Sequence, residues 1–411
     1  MSSSVRVEPA APARIPTSAL PLITGFALLV RVLLAFDAPP YVTWSDGREY
    51  EQVALSLLHH TGYGVQTLRP PGYPTFMAAV WSVTGHDLLA LRLVEAVLGA
   101  LAVAAIARIG ARRFGRRAGI VAGSIAALHP VLAYLPSTQY TENTLVLILV
   151  GAYAALLAAL APGGRRLGAW TAAGALFGLG ILWRPNVALL LPGIVAGSTW
   201  LLVRARKPVL KPLLCCLLAT VVVVGPWIVR CHRVHGQWFF VATGGGRALW
   251  LGNNPQLATG PYTIAIPDPA LEARLHAAPG ELAYDAAMKR EAVSWMRAHP
   301  GAAAALYVRK LGHLFAMFPE TYTRSRYTTD AASAAQGAAT LVLYAGVALA
   351  IPALRRHPSL LPLVLGVVGF SVVTAVFYAV MRYRMPVEPV LLWISGIGWA
   401  RVPFPRRDGA H

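Results

Sequence analysis

The sequence predicts an all-α polytopic integral membrane protein, and three observations predict it. Its 411 residues are 56% hydrophobic and only 13% charged, with a mean hydropathy of +0.55, whereas soluble domains carry about 25% charged residues. Apolar runs of near-spanning length recur along the whole chain. The basic residues behind the net charge of +19 sit between those runs, at alternate exits. That distribution reads as membrane topology rather than as a nucleic-acid footprint, and no nucleic-acid partner is expected. The three cysteines, two of them adjacent (Cys215, Cys216), make neither a disulfide framework nor a zinc motif.

Residues 1–17 are polar and Pro/Ala-rich and read as a disordered cytoplasmic tail. Ala19 to Phe36 is the first span, close to the roughly 20 residues that a bilayer crossing needs. No small-residue cleavage site follows it, so it is expected to be an uncleaved signal anchor. Apolar stretches at about 86–110, 118–135, 143–161, 167–183, 187–203, 212–229, 335–352, 359–380 and 386–400 bring the total to about ten transmembrane helices. Arg112, Arg113, Arg116 and Arg117 follow the second. Arg165 and Arg166 follow the fourth, and Arg204, Arg206, Lys207 and Lys211 the sixth. Arg355 and Arg356 follow the eighth, and Arg401, Arg406 and Arg407 the tenth. Every even-numbered exit is basic, which assigns those loops and both termini to the cytoplasm and the protein to the cytoplasmic (inner) membrane.

The chain then divides into a tail at 1–17, helices 1–7 at 18–229 with a first outer loop at 37–85, an outer-side loop domain at 230–334, helices 8–10 at 335–401, and a cytoplasmic tail at 402–411. Two long outer segments suggest chemistry at the outer face. A transporter has shorter connections and repeated halves, and no repeat is visible here.

In the first outer loop a helix is expected to start near Asp46, with Tyr50, Val53, Ala54, Leu57 and Leu58 on one face as in an interfacial amphipathic helix. Gly62-Tyr63-Gly64 ends it. Pro70-Pro71-Gly72-Tyr73-Pro74 forces a rigid turn, and Thr75 to Val83 forms a second interfacial helix. Asp46 admits two readings. It can be a carboxylate that takes a proton from an acceptor hydroxyl, or, with Glu49 three residues on, half of a capping box. Arg69 can hold a phosphate or snorkel at the interface.

At this point a resemblance becomes specific. SDGREYEQVALSLLHHTGYG followed by RPPGYPTF is similar to the first outer loop of the protein O-mannosyltransferase-like (PMT-like) glycosyltransferases, glycosyltransferase family 39 in the broad sense, with the lipid A aminoarabinose transferases as relatives. Arg92, ARRFGRR, His129-Pro130, YTENTL at 140–145, WRPN at 183–186, GNNP at 252–255 and RYRMPVEP at 382–389 follow in family order. The resemblance implies the multi-spanning GT-C fold. It also implies transfer of a sugar from a polyprenyl-phosphate donor at the outer face, with Asp46 in the position of the catalytic Asp. The O-mannosyltransferases often carry Asp-Glu there, and this chain has Asp46-Gly47, so their substrate details do not carry over.

Glu142, at the outer start of the fourth span, is either a first-turn carboxylate with Thr141 as cap or, by the resemblance, a second site acid that positions the acceptor or holds an arginine. Arg382 and Arg384 lie on the outer side against the general charge bias. They suit a phosphate on which charge develops as it leaves, or they anchor the interface with Glu388 as partner. Arg184 in WRPN is a weaker candidate of the same kind. Arg31, inside the first span, snorkels or pairs with another helix. Gly174 and Gly178 read as helix packing, and Gly244-Gly245-Gly246 as a turn rather than a phosphate loop.

The expected site is therefore Asp46 and Glu142 as catalytic residues, with Arg69, Arg184, Arg382 and Arg384 at the donor phosphate. The expected partners are a polyprenyl-phosphate sugar donor, an envelope acceptor and the lipid bilayer. No cofactor is expected. The histidines lack metal spacing, and a divalent ion between Asp46 and the donor phosphate is the one metal this reading leaves room for. The alternative function is a polyprenyl-linked sugar transporter or flippase without transferase chemistry.

Overall fold

The computed structural model describes residues 18–42, 45–161, 167–262, 264–265, 267–318 and 329–403. The expected tail at 1–17, Arg165, Arg166 and the chain from 404 onward lie outside the described residues. Within them every regular element is a helix.

Each of the ten predicted apolar stretches contains a helix, the ninth, expected over 359–380, ending early at Thr374. The first is α1 (Ala19–Asp37), followed by α2 (Ser45–Leu58) and α3 (Gly72–Thr84) in the connecting segment. Next come α4 (Leu88–Phe114), α5 (Arg116–Leu128) and α6 (Pro130–Tyr134). They are followed by α7 (Glu142–Leu160), α8 (Leu167–Trp183), α9 (Leu191–Arg204) and α10 (Leu210–His235). The 230–334 segment holds α11 (Gly245–Gly252), α12 (Pro255–Thr259), α13 (Pro269–His276), α14 (Gly280–Ala298) and α15 (Pro300–Leu314). The chain closes with α16 (Asp330–Ala350), α17 (Leu361–Thr374) and α18 (Glu388–Trp399).

Among the described residues six helices are long and apolar enough to cross a membrane, and α5 with Pro130–Ser137 passes the same test only as a pair bent by 61°, a broken span or a re-entrant loop. The bend falls at His129-Pro130, where the proline has no N–H to continue the ladder. The remaining predicted spans are shorter apolar helices, Leu167–Trp183, Pro358–Thr374 and the 12-residue α18. α18 is nearly all buried, enclosed by other helices rather than lipid. At its centre Trp393 is fully buried and donates its indole N–H to the Ile106 carbonyl at 3.0 Å. Small residues permit this enclosure. A Cβ at Gly398 would lie 1.9 Å from the Gly346 oxygen, and one at Gly174 would lie 2.0 Å from the Cys216 oxygen. The second of these bears out helix packing as the role of Gly174.

Local signals explain several boundaries. Asp87 caps α4 by accepting from the Leu89 and Ala90 amides, and Gly236, in the left-handed region at φ 68°, closes α10. The triple glycine is more than a turn, because left-handed Gly244 caps α11 and the other two glycines begin it.

The two connecting segments each carry a small core. Tyr50, Ala54, Tyr73, Met77 and Trp81 pack α2 and α3 onto Leu91 of α4. Trp250, Leu271, Leu275, Met288 and Ala292 join α11, α13 and α14. The apolar side chains left exposed on α1 and α10, such as Leu22, Leu33, Leu217 and Val222, are the surface a bilayer would cover.

Candidate active site

Three motifs far apart in sequence meet at Asp46. α2 presents Asp46 in its first turn, and Gly47 makes its packing possible. A Cβ at Gly47 would lie 2.7 Å from Val42 Cγ1 and 3.5 Å from Gln139 Cβ. The Asp-Gly pair is thus a steric fit at this position, where a larger residue would have to displace Val42. The Pro70-Pro71-Gly72 turn brings Arg69 alongside, and its seat is equally close. A Cβ at Gly72 would overlap the Trp183 ring at 2.2 Å, so the RPPG turn sits directly on the WRPN motif. Trp183 in turn donates to Thr144 Oγ1 at 2.8 Å, which joins WRPN to the start of α7.

Arg382 arrives from the 3₁₀ turn Met381–Arg384. The segment before that turn is pinned by the GNNP motif. Asn253 and the buried Lys310 both donate to the Val376 carbonyl, at 2.9 and 3.0 Å, and Tyr262 donates to the Ala379 carbonyl at 2.5 Å.

The result is a compact network of carboxylates and guanidiniums. Arg69 donates from Nη2 to Asp46 Oδ1 at 2.8 Å and from Nε to Glu49 Oε2 at 2.7 Å. Arg382 donates from Nη2 to the other Asp46 oxygen, Oδ2, at 2.7 Å. Its Nε lies 4.0 Å from Glu142 Oε1. Glu142 is 1% exposed and paired with Arg184, and it accepts from the Thr141 hydroxyl at 3.1 Å. The expected capping roles are not what these side chains do. The Asp46 and Glu49 carboxylates face arginines, and Thr141 makes no cap bond.

Burial alone would raise the Asp46 carboxyl. The Arg382 and Arg69 guanidiniums outweigh burial and hold it well below the usual carboxylate range.

Tyrosines for which the sequence suggested no such role lie against all three arginines. Arg69 lies over Tyr50 at 5.0 Å, Arg184 over Tyr383 at 4.5 Å, and Arg382 over Tyr140 at 4.0 Å and Tyr383 at 5.4 Å. Their signal was adjacency: Tyr140 precedes TENTL, and Tyr383 lies inside RYR.

Arg384 is not brought to this cluster. A 3₁₀ turn repeats every three residues, so positions 382 and 384 leave it in different directions. Arg384 is 0% exposed and donates from Nε to the equally buried Glu388 at 2.7 Å. It also donates to the Ala316 carbonyl at 3.3 Å and to Tyr344. Arg31 is buried and donates to Ala27 of its own helix, away from the site. An open cavity of about 830 Å³ lies between the end of α1 and the start of α4, lined by Arg48, Glu51, His86 and Arg92. Arg48 and Glu51 are on the other side of α2 from Asp46.

Each of the three carboxylates, Asp46, Glu49 and Glu142, already faces a guanidinium. Among the described residues no group of three or more His, Cys, Asp or Glu side chains converges on one point.

Fold and site together define a multi-spanning membrane protein of GT-C fold, with an arginine-clamped aspartate at the start of its first connecting segment. The family model described as dolichyl-phosphate-mannose-protein mannosyltransferase matches residues 68–229, from the residue before Arg69 through most of α10. The oligosaccharyltransferase AglB of Archaeoglobus fulgidus, solved with an inhibitory peptide and a dolichol-phosphate, aligns at TM-score 0.55 and 13% identity, over 93% of this chain and 50% of that one. Its apo form aligns at 0.57 and 13%, over 92% and 50%. This chain therefore spans about half the length of that enzyme. ArnT of Cupriavidus metallidurans, solved with undecaprenyl phosphate, aligns at 0.47 and 18%, over 93% and 78%. No curated protein sequence matches the chain.

Proposed function

We propose that this chain is a PMT-like membrane glycosyltransferase and that it moves a sugar from a polyprenyl-phosphate donor to a hydroxyl or amine acceptor at the outer face of the cytoplasmic membrane, with Asp46 as general base. One observation carries the reading: two arginines from opposite ends of the chain each hold one oxygen of the same carboxylate, beside a third arginine paired with Glu142. The outer placement rests on the basic residues at the even exits.

Charge balance suggests how such a site works. Asp46, Glu49 and Glu142 match Arg69, Arg184 and Arg382 one for one. An arriving phosphate can bond guanidinium N–H groups that the carboxylates leave over, such as the buried and unpartnered Arg382 Nη1, and then competes with Asp46 for the positive charge. Arginine gives bidentate, charge-assisted bonds to phosphate oxygens, and Asp46 then recovers proton affinity. The acceptor oxygen bonds to the anomeric carbon as its proton passes to Asp46. The sugar–phosphate C–O bond breaks, and the polyprenyl phosphate leaves with the electron pair, its new charge met by Arg69 and Arg382. Glu142 keeps Arg184 in place next to Arg382.

A flippase would need ionisable groups lining a passage. The deep ionisable residues here, Arg31, Glu95, His129, Arg384 and Glu388, are packed in protein. The cavity beside Arg31 measures about 10 Å³, the size of a single water.

The test is sugar transfer by purified protein in nanodiscs from a synthetic polyprenyl-phosphate sugar. Asp46→Asn should insert normally and lose at least about 10²-fold in turnover, the usual scale for a general base. A fully active Asp46→Asn protein would sink the mechanism.

A further inference from the structure

Glu281, at the start of α14, is separated from Asp46 by more than half the chain, yet it is tied to the loop that carries Arg69. Its Oε2 accepts from the Thr67 amide at 3.0 Å, the Thr67 hydroxyl at 2.9 Å and the Thr243 hydroxyl at 3.1 Å. Thr67 is fully buried. Its hydroxyl proton is given to Glu281, so it accepts from His235 Nε2 at 2.9 Å. Its carbonyl accepts from the Thr243 amide at 3.2 Å. Every polar group of Thr67 is therefore engaged by the 230–334 segment or the end of α10. Gly280 and Gly244, both left-handed at φ 84° and 105°, let the chain turn beside Glu281 and Thr243. A Cβ at Gly244 would also come within 2.8 Å of Leu68.

Two residues beyond Thr67 is Arg69, and immediately after it stands the rigid Pro70-Pro71 pair, followed by Gly72 against Trp183. The arginine that holds Asp46 Oδ1 and Glu49 is thus fixed between two anchors. One is intrinsic to the first connecting segment. The other is supplied by α14.

We propose that Glu281 is a positioning residue. By clamping Thr67 it sets Arg69 against Asp46 and the donor phosphate, and so gives the 230–334 segment a part in the reaction. This rests on the proposed transferase reading. Displacements of about 1 Å in such constellations cost up to 10²-fold in rate.

The experiment combines two readouts on purified full-length protein. Hydrogen exchange of the 62–69 peptide needs no substrate. In Glu281→Ala it should accelerate, and in Glu281→Gln, whose amide oxygen still accepts from Thr67, it should stay near wild type. Transfer from the synthetic polyprenyl-phosphate sugar should fall about 10- to 10²-fold in Glu281→Ala and recover most of that in Glu281→Gln. In an Arg69→Ala background Glu281→Ala should cost less than about twofold more, because the two act as a unit. Unchanged exchange at 62–69 in Glu281→Ala, or a full multiplicative loss in the Arg69→Ala background, would overturn the proposal. Failure of wild type to transfer any sugar would sink the transferase reading instead, and the exchange result would still decide whether the clamp exists.

Discussion

Asp46 has both oxygens committed to arginines, and this has a consequence for acid stability. Its folded-state proton affinity is depressed, burial notwithstanding, by Arg382 and Arg69. A carboxylate of this kind contributes stability that is fully present above its unfolded pKa, about 3.9 for Asp, and is lost as pH falls through the lower folded value. Wild type should therefore lose thermal stability relative to Asp46→Asn only below about pH 4, and the difference between them should be flat from there to neutrality. A difference that grows between pH 5 and 8 would mean that Asp46 is not held by the two arginines. Gly47 supports a second expectation. Installing the Asp-Glu pair of the O-mannosyltransferases by Gly47→Glu should not restore a second acid. It should destabilise by about 1–3 kcal/mol, the usual cost of overpacking, because a Cβ already meets Val42 at 2.7 Å. Thermal unfolding in detergent reads this directly. The candidate acids were legible in the sequence as motif positions. Their partners were not, since Arg69 and Arg382 stand 23 and 336 residues from Asp46.

At the scale of elements, the Met381–Arg384 turn separates two arginines that the sequence presents as a pair. Arg382 faces Asp46 and Arg384 faces Glu388. Arg384→Ala should lower folding stability by about 3–5 kcal/mol, since it leaves a fully buried carboxylate without its cation. Arg382→Ala should insert and fold nearly as wild type and weaken donor use. Paired measurements of unfolding temperature and donor KM separate the two. Equal donor defects with no loss of stability in Arg384→Ala would return that residue to the site. The periodicity of α2 and the proline turn before α3 were readable from residues 45–84, because each depends on near neighbours. The direction of Arg384 was not readable, because it depends on the helical repeat of a turn only four residues long and on the helices that pack behind it.

For the whole molecule, the charge pattern makes the orientation testable. Single cysteines placed at 255–280 should react with an impermeant maleimide from outside, and those at 112–117 and 204–211 should not. Labelling at 204–211 from outside would reverse the topology and move the active face to the cytoplasm. Short α18 has a place in this arrangement because it is wrapped by α4, α5, α7 and α16 rather than by lipid. It therefore need not satisfy the length rule that governs lipid-facing spans.

The sequence by itself determined the all-helical membrane class, the positions of the ten apolar helices and the motifs that gather at the site. Those properties follow from hydropathy, local turn chemistry and the sign of loop charges, all short-range in the chain. The tertiary structure alone decided that Arg69 and Arg382 share Asp46, that Arg184 belongs to Glu142, that Arg384 is buried behind the turn, and that Glu281 reaches back to Thr67. Glycines permit several of the close approaches involved, Gly47 against Val42 and Gly72 against Trp183 in the Asp46 site, and Gly244 against Leu68 beside Thr67. A glycine in a sequence says that a backbone can come near, and only the folded chain shows which one does.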